Sequence, residues 1–342
     1  MRESVLELSS ADERESLSDV LVVDVDVHVH ESPGELAPYI DAPWRVALEH
    51  IRDVPENYLD IPGFSPGNAF FEAPFPTSHE FSRMVHDPDQ MRRELDAIHV
   101  NLAVLFPDHL LKLPVLTQYD YAAALARAYN AWLVDRWASH DRGLLGVIIA
   151  CPQDPIDAAR EIRKYGAHPD VVGVFLPCAG VDPMYGHRVY DPIWEAAQET
   201  DLPVLLHSVG ITHPVFPFQN QGFNTEMARH AVSHAFSIMV NVVHMLTTGV
   251  MVRFEDLRIC VTEVGLAWLP FLMYRLDKEF IEHRGEVPFL DRRPSDYLKQ
   301  LWVSTQPIEE PQDLADIARI IDLFDGGERT VFASDWPHHD FD

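Results

Sequence analysis

Eight apolar runs of strand length alternate with segments of helical period from residue 20 to the end of the chain, and that rhythm leaves few architectures open. The runs are 20–28, 101–107, 143–150, 171–177, 203–208, 258–263, 301–305 and 329–335. Between them lie helical patterns over 117–139, 154–165, 190–200, 225–248, 266–283 and 311–325, several opening on Asp, Thr or Pro and closing before Gly. Strands that are apolar on both faces and alternate with helices pair in parallel, and eight such units close into a (β/α)8 barrel. An open doubly wound sheet is the competing solution. It would be expected to carry a glycine-rich phosphate loop after a strand, and no GxGxxG or GxxxxGK stands at such a place. The expected fold is therefore α/β, a single TIM barrel domain over 20–342 behind an acidic extension at 1–19.

Three irregular stretches interrupt the rhythm. The longest, 31–85, is a loop insertion after strand one, rich in Pro and Phe. The second, 209–224, follows strand five, and the third, near 284–299, follows the helix after strand six. The first two leave the C-terminal ends of strands, the rim on which barrel enzymes build their pockets. Only seven residues follow Asp335, which leaves no room for a full eighth helix. Unless the chain is a fragment, segment 1–19 or the partner subunit of a homodimer is expected to cover the groove between strands eight and one.

Charge narrows the choice of partners. Against 54 acidic residues stand 26 basic ones, a formal net charge of −28 that repels nucleic acid and anionic membranes. Only Lys112, Lys164, Lys278 and Lys299 are lysines. Such a surface suits a protein kept soluble in high salt, although a GC-rich genome also replaces Lys by Arg. No run of about 18 apolar residues predicts a membrane span, and the acidic N-terminus lacks the pattern of a secretory signal. Cys151, Cys178 and Cys260 lie far apart in apolar runs without a CxxC pair, as interior thiols of a cytoplasmic protein would.

The chemistry is concentrated in strand one, which reads Val-Val-Asp24-Val-Asp26-Val-His28-Val-His30-Glu31. Period two sets Asp24, Asp26, His28 and His30 on one face and the valines on the other. A closed barrel has no edge strand, so that polar face looks into the lumen, where carboxylates without a compensating charge are costly. A divalent cation supplies the compensation, because carboxylate oxygen and imidazole nitrogen two residues apart can point at one ion. Strand five ends in His207 and strand eight in Asp335. Taken singly, these have ordinary explanations: a half-solvated strand, a core histidine, a helix cap. Three strands delivering metal-type ligands to the same end of one barrel point instead to a metal site.

With those residues in view, the chain resembles the amidohydrolase superfamily, in particular the branch that includes aminocarboxymuconate-semialdehyde decarboxylase and related aromatic-acid decarboxylases. The resemblance rests on the Asp-x-Asp-x-His run, on His207, on FEDLRICVTEVGLAWLPFLMYRLD (254–277) and on FASDWPHHDFD (332–342), and covers most of the chain from residue 20. It implies a metal-dependent enzyme in which Asp26 and His28 form the strand-one pair, His207 is the strand-five ligand, and Asp335 is both ligand and general base. The HxH register, His28 with His30, is the alternative; otherwise His30 and Glu31 support the ligands or line the pocket. Zinc is the first expectation for the ion and manganese the second.

The chain departs from that pattern at strand six. There the decarboxylases resemble one another in placing a His near the bound water, and this chain has Glu263. A carboxylate can still move protons as a second catalytic group, or it simply caps the next helix or pairs with an Arg. His338 and His339 beside Asp335, His213 after strand five, and Arg45 and Arg52 of the long loop are candidates to hold a substrate carboxylate. Loss of the strand-six imidazole leans toward hydrolysis of an amide, lactone or ester of a small organic acid. The closest family resemblance leans toward the alternative, non-oxidative decarboxylation of an unsaturated or aromatic acid. A barrel that binds a ligand without turning it over is the third reading.

Overall fold

Eight strands lie side by side in chain order and all pair in parallel: β1 (Val23–Val29), β2 (Leu102–Pro107), β3 (Leu144–Ile149), β4 (Val171–Pro177), β5 (Val204–His207), β6 (Ile259–Thr262), β7 (Trp302–Ser304) and β8 (Thr330–Val331). The computed structural model describes residues 20–51, 85–208, 223 and 225–338. The extension 1–19, most of the insertion and nearly all of the 209–224 loop lie outside the described residues.

Backbone hydrogen bonds from β1 to the chain beyond β8 close the barrel. Val25 N donates to Phe332 O at 3.0 Å, Asp335 N to Asp26 O at 3.0 Å, and His28 N to Trp336 O at 2.8 Å. The eighth apolar run thus keeps its place in the barrel but shortens as a strand from the expected 329–335 to Thr330–Val331. The cause is local: Asp335 adopts φ 59, a left-handed conformation that breaks the pleat. Among the described residues no helix covers the outside of this seam, and Val23 and Phe332 stay exposed beside it.

The connecting helices are α1 (Pro33–Leu36), α2 (Trp44–Ile51), α3 (Pro88–Ala97), α4 (Tyr119–Trp132), α5 (Pro155–Tyr165), α6 (Asp191–Glu199), α7 (Glu226–Thr247), α8 (Val250–Arg253), α9 (Trp268–Glu282), α10 (Pro294–Leu298) and α11 (Ala315–Leu323). Their starts follow the usual chemistry of orphan amides. Asp154 accepts from Asp157 N with Pro155 in the first turn of α5, and Thr225 accepts from Ala228 N ahead of α7. The helix expected over 117–139 is α4 followed by a π turn at Leu133–Trp137. The stretches expected to be irregular are not wholly so: α1 and α2 open the insertion and α10 closes the 284–299 segment.

Two apolar layers hold the barrel, one around β1–β3 with α3 and α4, the other around β4–β7 with α5, α6, α7 and α9. All three cysteines are buried free thiols. No helix among the described residues is long and apolar enough to cross a membrane.

One polar side chain ties helix to strand inside the first layer. Asn130 of α4, fully buried, receives a hydrogen bond from Ile149 N at 2.7 Å and donates to Ile149 O at 3.1 Å, completing the last residue of β3. Asn130→Leu keeps the volume but strands both backbone groups, and is expected to lower the unfolding free energy by about 2–4 kcal/mol. Urea denaturation measures this directly, and a loss within the fitting error would show that the clamp contributes nothing.

Candidate metal centre

The alternation of β1 turns Asp24, Asp26 and His28 inward, with exposures of 0%, 0% and 2%. The three do different things. Asp24 accepts from Asp26 N and Ser334 N, each at 3.1 Å, and from Ser334 Oγ at 2.5 Å. It staples β1 to the tail of β8 and holds the turn that presents Asp335. Burial pushes its carboxyl up to about 7.

Asp26 and His28 face His207 and Asp335. His207 Nε2 lies 3.2 Å from Asp26 Oδ1, and His28 Nε2 lies 3.4 Å from Asp26 Oδ1 and 3.0 Å from Asp335 Oδ1. Each imidazole is oriented from behind by a carbonyl: His28 Nδ1 is 2.7 Å from Pro107 O, and His207 Nδ1 is 2.6 Å from Ser208 O. A ring that donates from Nδ1 has Nε2 left to meet a cation, so the backbone selects the tautomer a metal site needs. Phe106 and Phe175 wall the His207 ring, at centroid distances of 5.0 and 5.8 Å.

These atoms fit a divalent ion. Asp26 Oδ2, His28 Nε2 and both carboxylate oxygens of Asp335 are buried with charged neighbours at ion-pair range yet without a hydrogen-bond partner. Two buried carboxylates and two imidazoles are a costly set unless a cation joins them. In its absence a proton does part of the work. Burial opposes ionisation at His28, but Asp26 and Asp335 override it and hold the imidazole well above its ordinary range. Burial likewise opposes ionisation of Asp26 and Asp335, and the imidazoles around them hold both carboxyls below theirs.

Behind His207 stands a second group. Glu263 ends β6 with φ 57, another left-handed residue where a strand hands over to a loop. Its Oε2 is 3.3 Å from His207 Nδ1 and accepts from Ser208 Oγ at 3.0 Å, and its Oε1 is 3.6 Å from His234 Nε2 of α7. The helix cap considered for Glu263 is made instead by Glu309, which accepts from Leu266 N at 3.1 Å and Ala267 N at 2.8 Å ahead of α9.

On the opposite side His338 stacks on His28, with centroids 4.2 Å apart and planes at 28°. Its Nδ1 is 2.7 Å from Asp335 Oδ1 and its Nε2 is 3.6 Å from Asp108 Oδ1. Burial works against its charge, but Asp335 raises the imidazole to about 10. His30 does not join the four-residue group. It turns toward the end of β2, with Nδ1 3.2 Å from Asp108 Oδ2 and Nε2 3.5 Å from His109 Nε2. Glu31, fully buried, braces that turn by accepting from Asp108 N at 3.0 Å and Leu110 N at 2.7 Å. Arg45 is exposed and spends its Nε–H on Ile40 O at 2.9 Å. His213, His339 and Arg52 lie outside the described residues.

Sequence reasoning missed Ser208, His234, Asp108 and His109. Asp108 and His109 directly follow the last residue of β2, the same C-terminal rim that singled out His207 and Asp335, and that position was the available signal. His234 lies mid-helix and carries none.

A family model described as amidohydrolase matches residues 25–342. A search of curated proteins finds no match. Among solved structures, the chain is similar to an amidohydrolase from Mycobacterium avium subsp. paratuberculosis, with TM-score 0.69, 19% identity, and coverage of 94% of this chain and 91% of that one. It is also similar to 5-carboxyvanillate decarboxylase from Novosphingobium aromaticivorans, complexed with manganese and 4-hydroxy-3-methoxy-5-nitrobenzoic acid (0.66, 21%, covering 93% and 87%). A third is 2,6-dihydroxybenzoate decarboxylase from Rhizobium (0.63, 17%, covering 94% and 90%). At these identities the likeness is one of fold.

Proposed function

We propose that this chain, which belongs to the amidohydrolase family, is a divalent-metal-dependent carboxy-lyase that removes carbon dioxide from a small aromatic or unsaturated acid. The observation that carries this reading is the buried convergence of Asp26, His28, His207 and Asp335 at the C-terminal mouth of the barrel. Those four residues would hold the ion, and a set of two carboxylates and two imidazoles accommodates manganese or zinc. When bound, such an ion polarises a substrate oxygen and stabilises negative charge that develops on the substrate. The decarboxylases similar in fold support the lyase reading over the hydrolase reading that the loss of the strand-six imidazole first favoured. They also bring manganese forward beside zinc.

The chain's own groups supply the proton. Loss of carbon dioxide leaves an electron pair on carbon, which must be protonated. His338, charged by its contact with Asp335 and stacked over His28, is the donor at the mouth. Its side chain is 26% exposed, so solvent can return the proton after each turnover. Asp335 orients the imidazole and keeps it charged, while His28 and His207 are held by backbone carbonyls and do not move.

Hydrolysis is the second reading, and Glu263 favours it: a carboxylate lies against His207 and His234 where the related decarboxylases resemble one another in having an imidazole. In that reaction Asp335 accepts the proton of the attacking water. The discriminating experiment loads the protein with manganese or zinc and follows carbon dioxide release from hydroxybenzoates and carboxyvanillate beside hydrolysis of lactones and amides. Carbon dioxide released in step with loss of the acid is the expected result. Turnover of a lactone or amide, with every acid intact, would replace the lyase with the hydrolase.

A further inference from the structure

The group around His30 is absorbed neither by the four-residue centre nor by the proposed chemistry, and its geometry has its own meaning. His30 and His109 point their Nε2 atoms at each other across 3.5 Å, with ring centroids 4.5 Å apart and planes at 63°. Two nitrogens each bound about 2.0–2.1 Å from one ion at the tetrahedral angle lie about 3.4 Å apart. The pair is therefore spaced as ligands of a common cation are.

The surroundings are built for the same purpose. Asp108 Oδ2 sits 3.2 Å behind His30 Nδ1, the carboxylate–imidazole arrangement that fixes a ligating ring and raises its basicity. Glu31 pins the turn carrying Asp108 and His109 through two backbone amides. His109 is 8% exposed, and burial pulls its imidazole down to about 4, so it meets a cation in the neutral form that ligation requires. His86, exposed at the rim, lies edge-on to His30 at a centroid distance of 6.0 Å. The ligand atoms of His30, Asp108 and His109 all fall within 4.8 Å of one another.

We propose that His30 and His109 form a second divalent-cation site at the mouth of the barrel, with Asp108 supporting His30 and His86 within reach as a third nitrogen. Imidazole ligands select borderline ions such as zinc or cobalt over magnesium or calcium. With two or three protein ligands, the site binds more weakly than the four-residue centre and keeps open positions for water or an anionic group of the substrate. Asp108 also faces His338, so an ion here sits one residue removed from the proposed proton donor.

The test is a zinc-binding isotherm on chelator-stripped protein at buffered free zinc, with metal counted by mass spectrometry. Wild type is expected to take up two ions in two steps. His207→Ala should lose the tight step and keep the weak one. His109→Ala and His30→Gln should keep the tight step and weaken the second at least tenfold. Wild type saturating at one ion overturns the proposal whatever the variants do, and so needs no variant to fold. A second ion that survives both His109→Ala and His30→Gln also overturns it, since that ion must sit elsewhere, for example at the exposed group of Glu279, Glu282 and His283.

Discussion

Asp335→Asn is expected to lower turnover by roughly 1,000-fold or more while the protein stays folded. Asparagine keeps the shape of the side chain and one oxygen, but it changes three things at once. It removes the charge that faces His28 at 3.0 Å, it removes a proposed anionic ligand, and it removes the counter-charge that holds His338 protonated at 2.7 Å. The structural cost is small, because neither carboxylate oxygen of Asp335 has a hydrogen-bond partner to lose. Its backbone bond to Asp26 O and the Asp24–Ser334 staple are untouched by the substitution. A kcat measurement on metal-loaded protein, with a urea melt as control, checks both halves of the expectation. A loss of tenfold or less would mean that Asp335 neither holds the ion nor governs the proton.

The fold was legible because both of its periods are unmixed. Runs such as Val171–Pro177 are apolar on both faces, and helices such as α5 keep Ala158, Ala159 and Ile162 on one buried side. What stayed hidden depends on tertiary partners. In α3 only Met91 and Leu95 of the helix reach the core, too sparse a stripe to bound the element from sequence. The shortening of β8 follows from a left-handed residue at Asp335, and no local propensity announces one at an aspartate in an apolar strand.

The site divides the same way. Period two revealed which residues of β1 face inward, but not that Asp24 would tie down Ser334 while Asp26 meets His207, since one strand cannot say what its neighbours bring. His30 shares the inward face of His28 in the pattern. One step nearer the rim, however, it leaves the barrel axis and finds Asp108 and His109. Glu263 was visible as a departure from the family pattern. Its partners were not, because His234 reaches it from a helix that begins 18 residues after β5 ends.

Replacing His207 by alanine is expected to weaken binding of the tightly held ion by well over 100-fold, because loss of a supporting residue alone typically costs 10–100-fold and His207 would be a ligand itself. Its ring is fully buried between Phe106 and Phe175, so the substitution also leaves a cavity costing about 2–4 kcal/mol, and circular dichroism must show that the variant folds. Aspartate 26 would then face the pocket with one imidazole fewer to balance it. The measurement is the manganese or zinc retained per chain after gel filtration, wild type beside His207→Ala. About one ion on wild type and none on the folded variant is the expected result. An ion retained equally by both, or taken up by neither, would contradict a metal centre built from Asp26, His28, His207 and Asp335.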